Sequence, residues 1–133
     1  MIDHGDTTGP ASAEMVLRHD EVEVAVLETA RGGMVRAGIG FDNCDIAVIT
    51  NVQEDHLGIS DIETMDDLAR VKSIIVGALA ANGTAVLNAN NDYTIKIGKA
   101  TKSNTAWFSI NKENPFFCEL LKDKSKQLAY VEN

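Results

Sequence analysis

The chain is short of positive charge, cysteine, proline and aromatic residues, and it has no long apolar run. Lysine and arginine number 12 against 20 aspartates and glutamates, which leaves a formal charge of −8. A surface for nucleic acid or for an anionic membrane needs a basic patch, so neither partner is expected. The two cysteines, Cys44 and Cys118, stand at no metal-type spacing and read as reduced thiols of a cytoplasmic protein. No apolar stretch approaches the ~18 residues of a membrane-spanning helix. The opening MIDHGDTTGP lacks the basic and apolar regions of a secretory signal. A phosphate loop of the form G-x-x-x-x-G-K-[ST] is missing too. The stretch GDTTGPAS, residues 5–12, has the glycines and hydroxyls of such a loop but no lysine. Pro10 also removes a backbone N–H that a phosphate cradle would use.

What remains is an ordinary globular composition. The 133 residues are 44% hydrophobic and 24% charged, enough for one domain with its own core. Ser12 is suited to cap a short helix over 13–18. The run EVEVAVLET, residues 21–29, alternates and then turns apolar, the pattern of a strand entering a buried sheet. Flexible backbone around Gly32 and Gly33 comes next. A second strand is expected over 45–50, ending in the polar loop NVQEDHLGIS. Ser60 or Asp61 caps a long helix carrying Met65, Leu68, Val71, Ile74, Ile75 and Leu79 at helical spacing, up to Asn82-Gly83. Then come a strand over 84–88, a helix over 92–100, a strand over 105–110 and a helix through Leu121 opened by Pro115. The terminal LAYVEN begins another strand. Strands alternating with helices predict an α/β fold with a mainly parallel sheet. Both ends read as cut.

In open parallel sheets ligands bind beyond the carboxyl ends of the strands. Three such ends carry polar groups here: Glu28, Thr29 and Arg31; Thr50, Asn51, Glu54, Asp55 and His56; and Asn88, Asn90, Asn91 and Asp92. Glu28 closes an apolar run and is expected to be half-buried. It either pairs with Arg31 or Arg36, caps the next helix, or holds Mg²⁺ through oxygen. His56 is either a loop histidine or a ligand sharing a metal with its acidic neighbours. Lys72, beside the apolar face of the long helix, either reaches to water or stands poised at the carboxylate-rich rim.

The blocks GDTTGPASAEMVLR, VAVLETARGGMVRAGIGFDNCDIAVITNVQEDHLGI, DDLARVKSIIV and TAVLNA, in that order, resemble the cyanophycin synthetase family. The likeness is to its Mur ligase-like half, which is similar also to folylpolyglutamate synthetase, and it runs from about residue 6 to 131. It implies a three-layer αβα unit with a mainly parallel sheet, an incomplete Mur ligase-like central domain filling residues 1–133. It also implies a chemistry, in which ATP activates a carboxylate as an acyl phosphate and an amine displaces phosphate to form an amide. In this family the amine is arginine and the carboxylate an aspartate side chain, so an amino-acid or peptide substrate is expected, with ATP and Mg²⁺ as cofactors. By position, the resemblance makes Glu28 and His56 metal ligands and Lys72 the helix lysine that is carbamylated in several Mur ligases. It places Arg31 near substrate or phosphate, and Thr7, Thr8, Asn51 and Asn88 around the nucleotide. The departures are the missing P-loop, the missing ATP-grasp half and terminal domain, Asn90-Asn91-Asp92 where consecutive aspartates and a proline are usual, and Lys124-Ser125-Lys126 in place of a glycine-rich turn. Two expectations arise. Either the chain is an inactive part of such a ligase, or it is a free-standing remnant that binds or forms homo-oligomers through an open sheet edge.

Overall fold

The computed structural model describes residues 8–54, 58 and 62–130. Contacts divide the chain into two compact units, Met1–Asp42 and Asn43–Asn133.

In the first unit, α1 spans Pro10–Leu17 and α2 spans Arg31–Ala37. Gly9, not Ser12, is the N-cap of α1, with Pro10 in the first turn, where its missing N–H costs nothing. Pro10 also lies against Gly33 of α2, where an added Cβ would sit 3.4 Å from its Cδ. The glycine pair after the expected strand is thus helical rather than loose. The strand expected over 21–29 is not formed: the segment makes no ladder, and Val24 and Val26 are 82% and 96% exposed. An alternating pattern states a capacity to pair, and this segment has no neighbouring strand among the described residues. Glu28 is accordingly exposed, not half-buried.

The second unit holds a four-stranded, all-parallel sheet in the order β1-β2-β3-β4, formed by Cys44–Ile49, Leu79–Asn88, Asn104–Ser109 and Gln127–Tyr130. Parallel neighbours need crossovers, and α3 (Met65–Lys72), α4 (Ile74–Gly77), α5 (Asp92–Ala100) and α6 (Pro115–Leu120) provide them. The register aligns Ala47 with Ala85, and Ile49 with Leu87, Trp107 and Leu128. These side chains form one face and join one core with Leu68, Ala69, Val76 and Phe117 from the helices. Alternate residues turn to the other face, where Ile46 and Val48 are exposed. The α/β class and the parallel sheet are as the sequence leads one to expect.

Several boundaries differ for local reasons. Thr64 caps α3 through a reciprocal capping box with Asp67; the expected caps Ser60 and Asp61 lie outside the described residues. The long helix breaks at Ser73 into α3 and α4 and ends at Ala78, so β2 begins earlier than expected. The helix over 92–100 forms as read, capped by Asn91, and Asn114 caps α6. In α5, Gly98 permits the closest approach of helix to sheet, for a Cβ there would overlap the Trp107 ring.

Candidate functional site

The carboxyl ends of β1, β2 and β3 lie side by side because the sheet is parallel and its register unbroken from Ile46 onward. On this rim the chain places Thr50 and Asn51 after β1, Asn88 to Asn91 at the end of β2, and Ser109 to Asn111 at the end of β3. Lys72, the last residue of α3, is half-buried and its Nζ donates to the Asn51 carbonyl at 3.0 Å. The helix lysine is therefore tied to the first residue of the polar block NVQEDHLG. Asn88 Nδ2 donates to the Thr50 carbonyl at 2.9 Å. Three of the residues singled out in the sequence, Lys72, Asn51 and Asn88, thus meet at one rim.

The rim is fastened by amides. Asn91 Nδ2 donates to Asn51 Oδ1 at 2.7 Å and to the Val52 carbonyl at 2.8 Å, while its Oδ1 accepts from Thr94 N at 3.1 Å. One side chain caps α5 and clamps the β1 loop, and only this orientation of the amide satisfies all three contacts. Asn90 Oδ1 accepts from the Ser109 hydroxyl at 2.8 Å and from Ile110 N at 3.0 Å, which joins β2 to β3. Asn88 Oδ1 accepts from Asn90 N at 2.7 Å. Beneath these, Thr94 and Ser109 are fully buried, and each hydroxyl is bonded, Thr94 Oγ1 to the Asn88 and Asn91 carbonyls. Buried hydroxyls need such partners. The sequence reading places Asn90 and Asn91 on the polar rim without a role and does not single out Thr94 or Ser109, although Asn91 before a helical run is a readable N-cap.

Of the other residues, Thr7, Thr8, Glu28 and Arg31 belong to the first unit and His56 to the second. Thr8 offers its carbonyl to Ala30 N at 3.5 Å, so the GDTTGP and ETARGG blocks, distant in sequence, meet there. Arg31 opens α2. Glu28 makes no hydrogen bond or ion pair among the described residues, so the pairing expected with Arg31 or Arg36 is not made there; Arg36 instead donates to the Gly32 carbonyl at 3.0 Å. Thr7 and His56 lie outside the described residues. Among the described residues no group of three histidines, cysteines, aspartates and glutamates could hold a metal ion. The chemistry of the donors still fits Mg²⁺, a hard cation bound through one or two carboxylates and water. Among the described residues the Glu28 carboxylate has no partner, whereas the carbonyl oxygens of Thr50, Asn51 and Val52 and the side-chain oxygen of Asn91 already accept protein N–H groups.

The chain matches the Mur ligase middle domain over residues 5–131, and it belongs to that family. It is 45% identical over 130 residues to a cyanophycin synthetase of Geminocystis herdmanii, covering 98% of this chain and 15% of that protein. To the cyanophycin synthetase of Synechocystis sp. it is 49% identical over 114 residues, covering 86% of this chain and 13% of the relative. A UDP-N-acetylmuramoyl-L-alanyl-D-glutamate--2,6-diaminopimelate ligase of Listeria monocytogenes is 29% identical over 101 residues, 71% of this chain and 20% of that ligase. The chain therefore spans a small part of the length of the curated relatives it matches.

Proposed function

We propose that this Mur ligase-family chain forms part of the ATP-dependent centre of an amide-bond-forming ligase of the cyanophycin synthetase type. In this reading ATP phosphorylates an aspartate side-chain carboxylate, and arginine then displaces phosphate to leave an amide. The supporting observation is the Lys72–Asn51 bond, which ties the helix lysine to the strand-end block within a chain similar to ligases along almost its whole length. Glu28 and His56 would hold Mg²⁺, which supplies positive charge against the transferred phosphoryl group. Lys72, as a carbamate, would add an anionic oxygen. Arg31, Thr7 and Thr8 are assigned to substrate or phosphate, and Asn51 and Asn88 to the nucleotide side of the rim. No G-x-x-x-x-G-K-[ST] loop occurs within the 133 residues, so the chain alone is not expected to turn over ATP.

The test is a chimera. This chain replaces the matching stretch of a cyanophycin synthetase, and addition of aspartate and of arginine to the polymer is followed separately. The expected result is that arginine addition persists, and that Glu28→Gln and Lys72→Met each abolish it while aspartate addition continues. Continued aspartate addition with no arginine addition by the unmutated chimera would overturn the proposal.

A second reading is a free-standing module that self-associates. It is favoured by the outer strand β1, on whose open face Ile46 and Val48 are exposed. Sedimentation of the purified chain separates the two readings: a dimer weakened by Val48→Lys supports the module, and a monomer at all concentrations removes it.

A further inference from the structure

We propose that Asn82-Gly83 is a site of spontaneous covalent modification, at which Asn82 deamidates to aspartate and isoaspartate. The reason lies in how β2 enters the sheet. Leu79 pairs with Cys44 and Thr84 with Ile46, so the single residue Asp45 on β1 faces residues 80–83 on β2. The pairing of β2 with β3 begins only at Thr84. Residues 80–83 thus belong to β2 but take no part in either register, an irregularity of four residues against one.

The bulge requires glycine. A Cβ at position 83 would lie 3.0 Å from the Ala80 carbonyl oxygen and 3.1 Å from that of Asp45. Both are backbone atoms and cannot swing aside. A glycine in a strand interior often marks such a close approach. The same requirement puts a residue with no side chain, itself buried, directly after an asparagine. Asn82 is exposed, and its side-chain amide has no hydrogen-bond partner among the described residues. Its carbonyl accepts from Asn104 Nδ2 at 3.3 Å. No other asparagine of the chain is followed by glycine.

The chemistry needs only water. The Gly83 nitrogen attacks Asn82 Cγ, the N–Cγ bond forms, the Cγ–Nδ2 bond breaks, and ammonia leaves with the proton that the nitrogen sheds. Water then opens the cyclic imide at either carbonyl. One opening gives aspartate on the normal backbone, and the other gives isoaspartate, with an extra methylene in the main chain. Either product adds a negative charge to a chain already at −8. The isoaspartate also lengthens the backbone immediately before β2 pairs with both β1 and β3.

The purified chain is held at physiological temperature in neutral and in mildly alkaline buffer, with intact mass and peptide maps taken over time. A gain of about one dalton is expected, since asparagine is a thermolabile residue. It should map to the peptide containing Asn82, split into two products, and respond to a protein-isoaspartate methyltransferase. Conversion should be faster in the alkaline sample, where more of the attacking nitrogen is deprotonated, and absent from Asn82→Gln. The proposal is overturned if the folded chain gains no mass at Asn82 while a short AANGT peptide converts beside it. Equal conversion at the other asparagines, or conversion only after unfolding in urea, overturns it as well.

Discussion

Replacing Asn91 with alanine removes the side chain that joins two elements of the rim, and its cost can be worked from the three bonds it makes. The Thr94 N–H loses its N-cap acceptor, typically worth about 1 kcal/mol. The Val52 carbonyl belongs to a residue only 2% exposed and is left without this donor, which costs about 1–3 kcal/mol. The bond to Asn51 Oδ1 is more accessible and contributes about 0.5–1 kcal/mol. Together these give a loss of about 3 kcal/mol in N91A. Aspartate at the same position separates the terms. It keeps an oxygen for the Thr94 N–H but turns a carboxylate toward the Val52 carbonyl, so N91D should lose about 2 kcal/mol. Urea unfolding followed by Trp107 fluorescence is the assay, since this is the sole tryptophan and it is 4% exposed in the core beside α5. With a urea slope of about 2 kcal/mol per molar, N91A lowers the midpoint by about 1.5 M and N91D by about 1 M. An N91D midpoint equal to that of the unmutated chain would refute the clamp. An N91A shift no larger than that of an exposed control such as Lys102→Ala would refute the whole sum.

Three further outcomes are expected. Gly98→Ala drives a Cβ into the Trp107 ring and to 2.7 Å from Leu87 Cδ1, so it should cost about 1–3 kcal/mol in a thermal melt. Gly77→Ala in α4 meets no atom within 4 Å and should be neutral or stabilising. The Asp67 carboxyl is held below its ordinary range, first by the Thr64 hydroxyl, then by the Thr64 N–H, with Arg70 adding its charge. A depressed carboxylate contributes stability above its unfolded pKa of about 3.9, lost as pH falls through the lower folded value. A carboxyl NMR titration should find Asp67 low in the unmutated chain and returned toward normal in Thr64→Ala, and an Asp67 midpoint unmoved by that change would contradict the cause.

How much of the fold was legible beforehand depended on whether the signal is local. The strands around Ala47, Val86 and Trp107 announce themselves as short apolar runs, and Asn91 and Asn114 announce the helices they cap. The break at Ser73 is less visible, because Ile74, Ile75 and Val76 continue the helical spacing of α3 without a glycine or proline. The segment 21–29 misleads for a different reason. Its alternation is genuine, but a strand exists only where a neighbour accepts its hydrogen bonds, and the neighbour is not encoded in the segment. The candidate site divides in the same way. Motif resemblance singled out Lys72, Asn51 and Asn88, whereas the double bond of Asn91 to Asn51 and Val52 joins residues far apart in sequence, which only the crossover from β1 to β2 brings together.

The use of asparagine rather than aspartate on this rim has a physical logic. A carboxylate is an acceptor only, and two of the groups that Asn91 faces are themselves oxygens. Aspartates at 90 and 91 would set two charges beside Asp92 in a chain already strongly negative, and would leave the Val52 carbonyl without its donor. The amide resolves this by donating on one side and accepting on the other, so one neutral residue can cap a helix and hold a loop. The consequence for ligand binding is that the β2 end acts as a frame. Its oxygens are used up in holding β1, β3 and α5 together, and the anionic ligands for a cation must come from elsewhere. In the proposed reading that burden falls on Glu28, which has no partner among the described residues, and on the segment that begins at Asn51, which Lys72 and Asn91 hold. The amides fix where that segment starts, and in the proposed reading its share of the metal chemistry falls to His56.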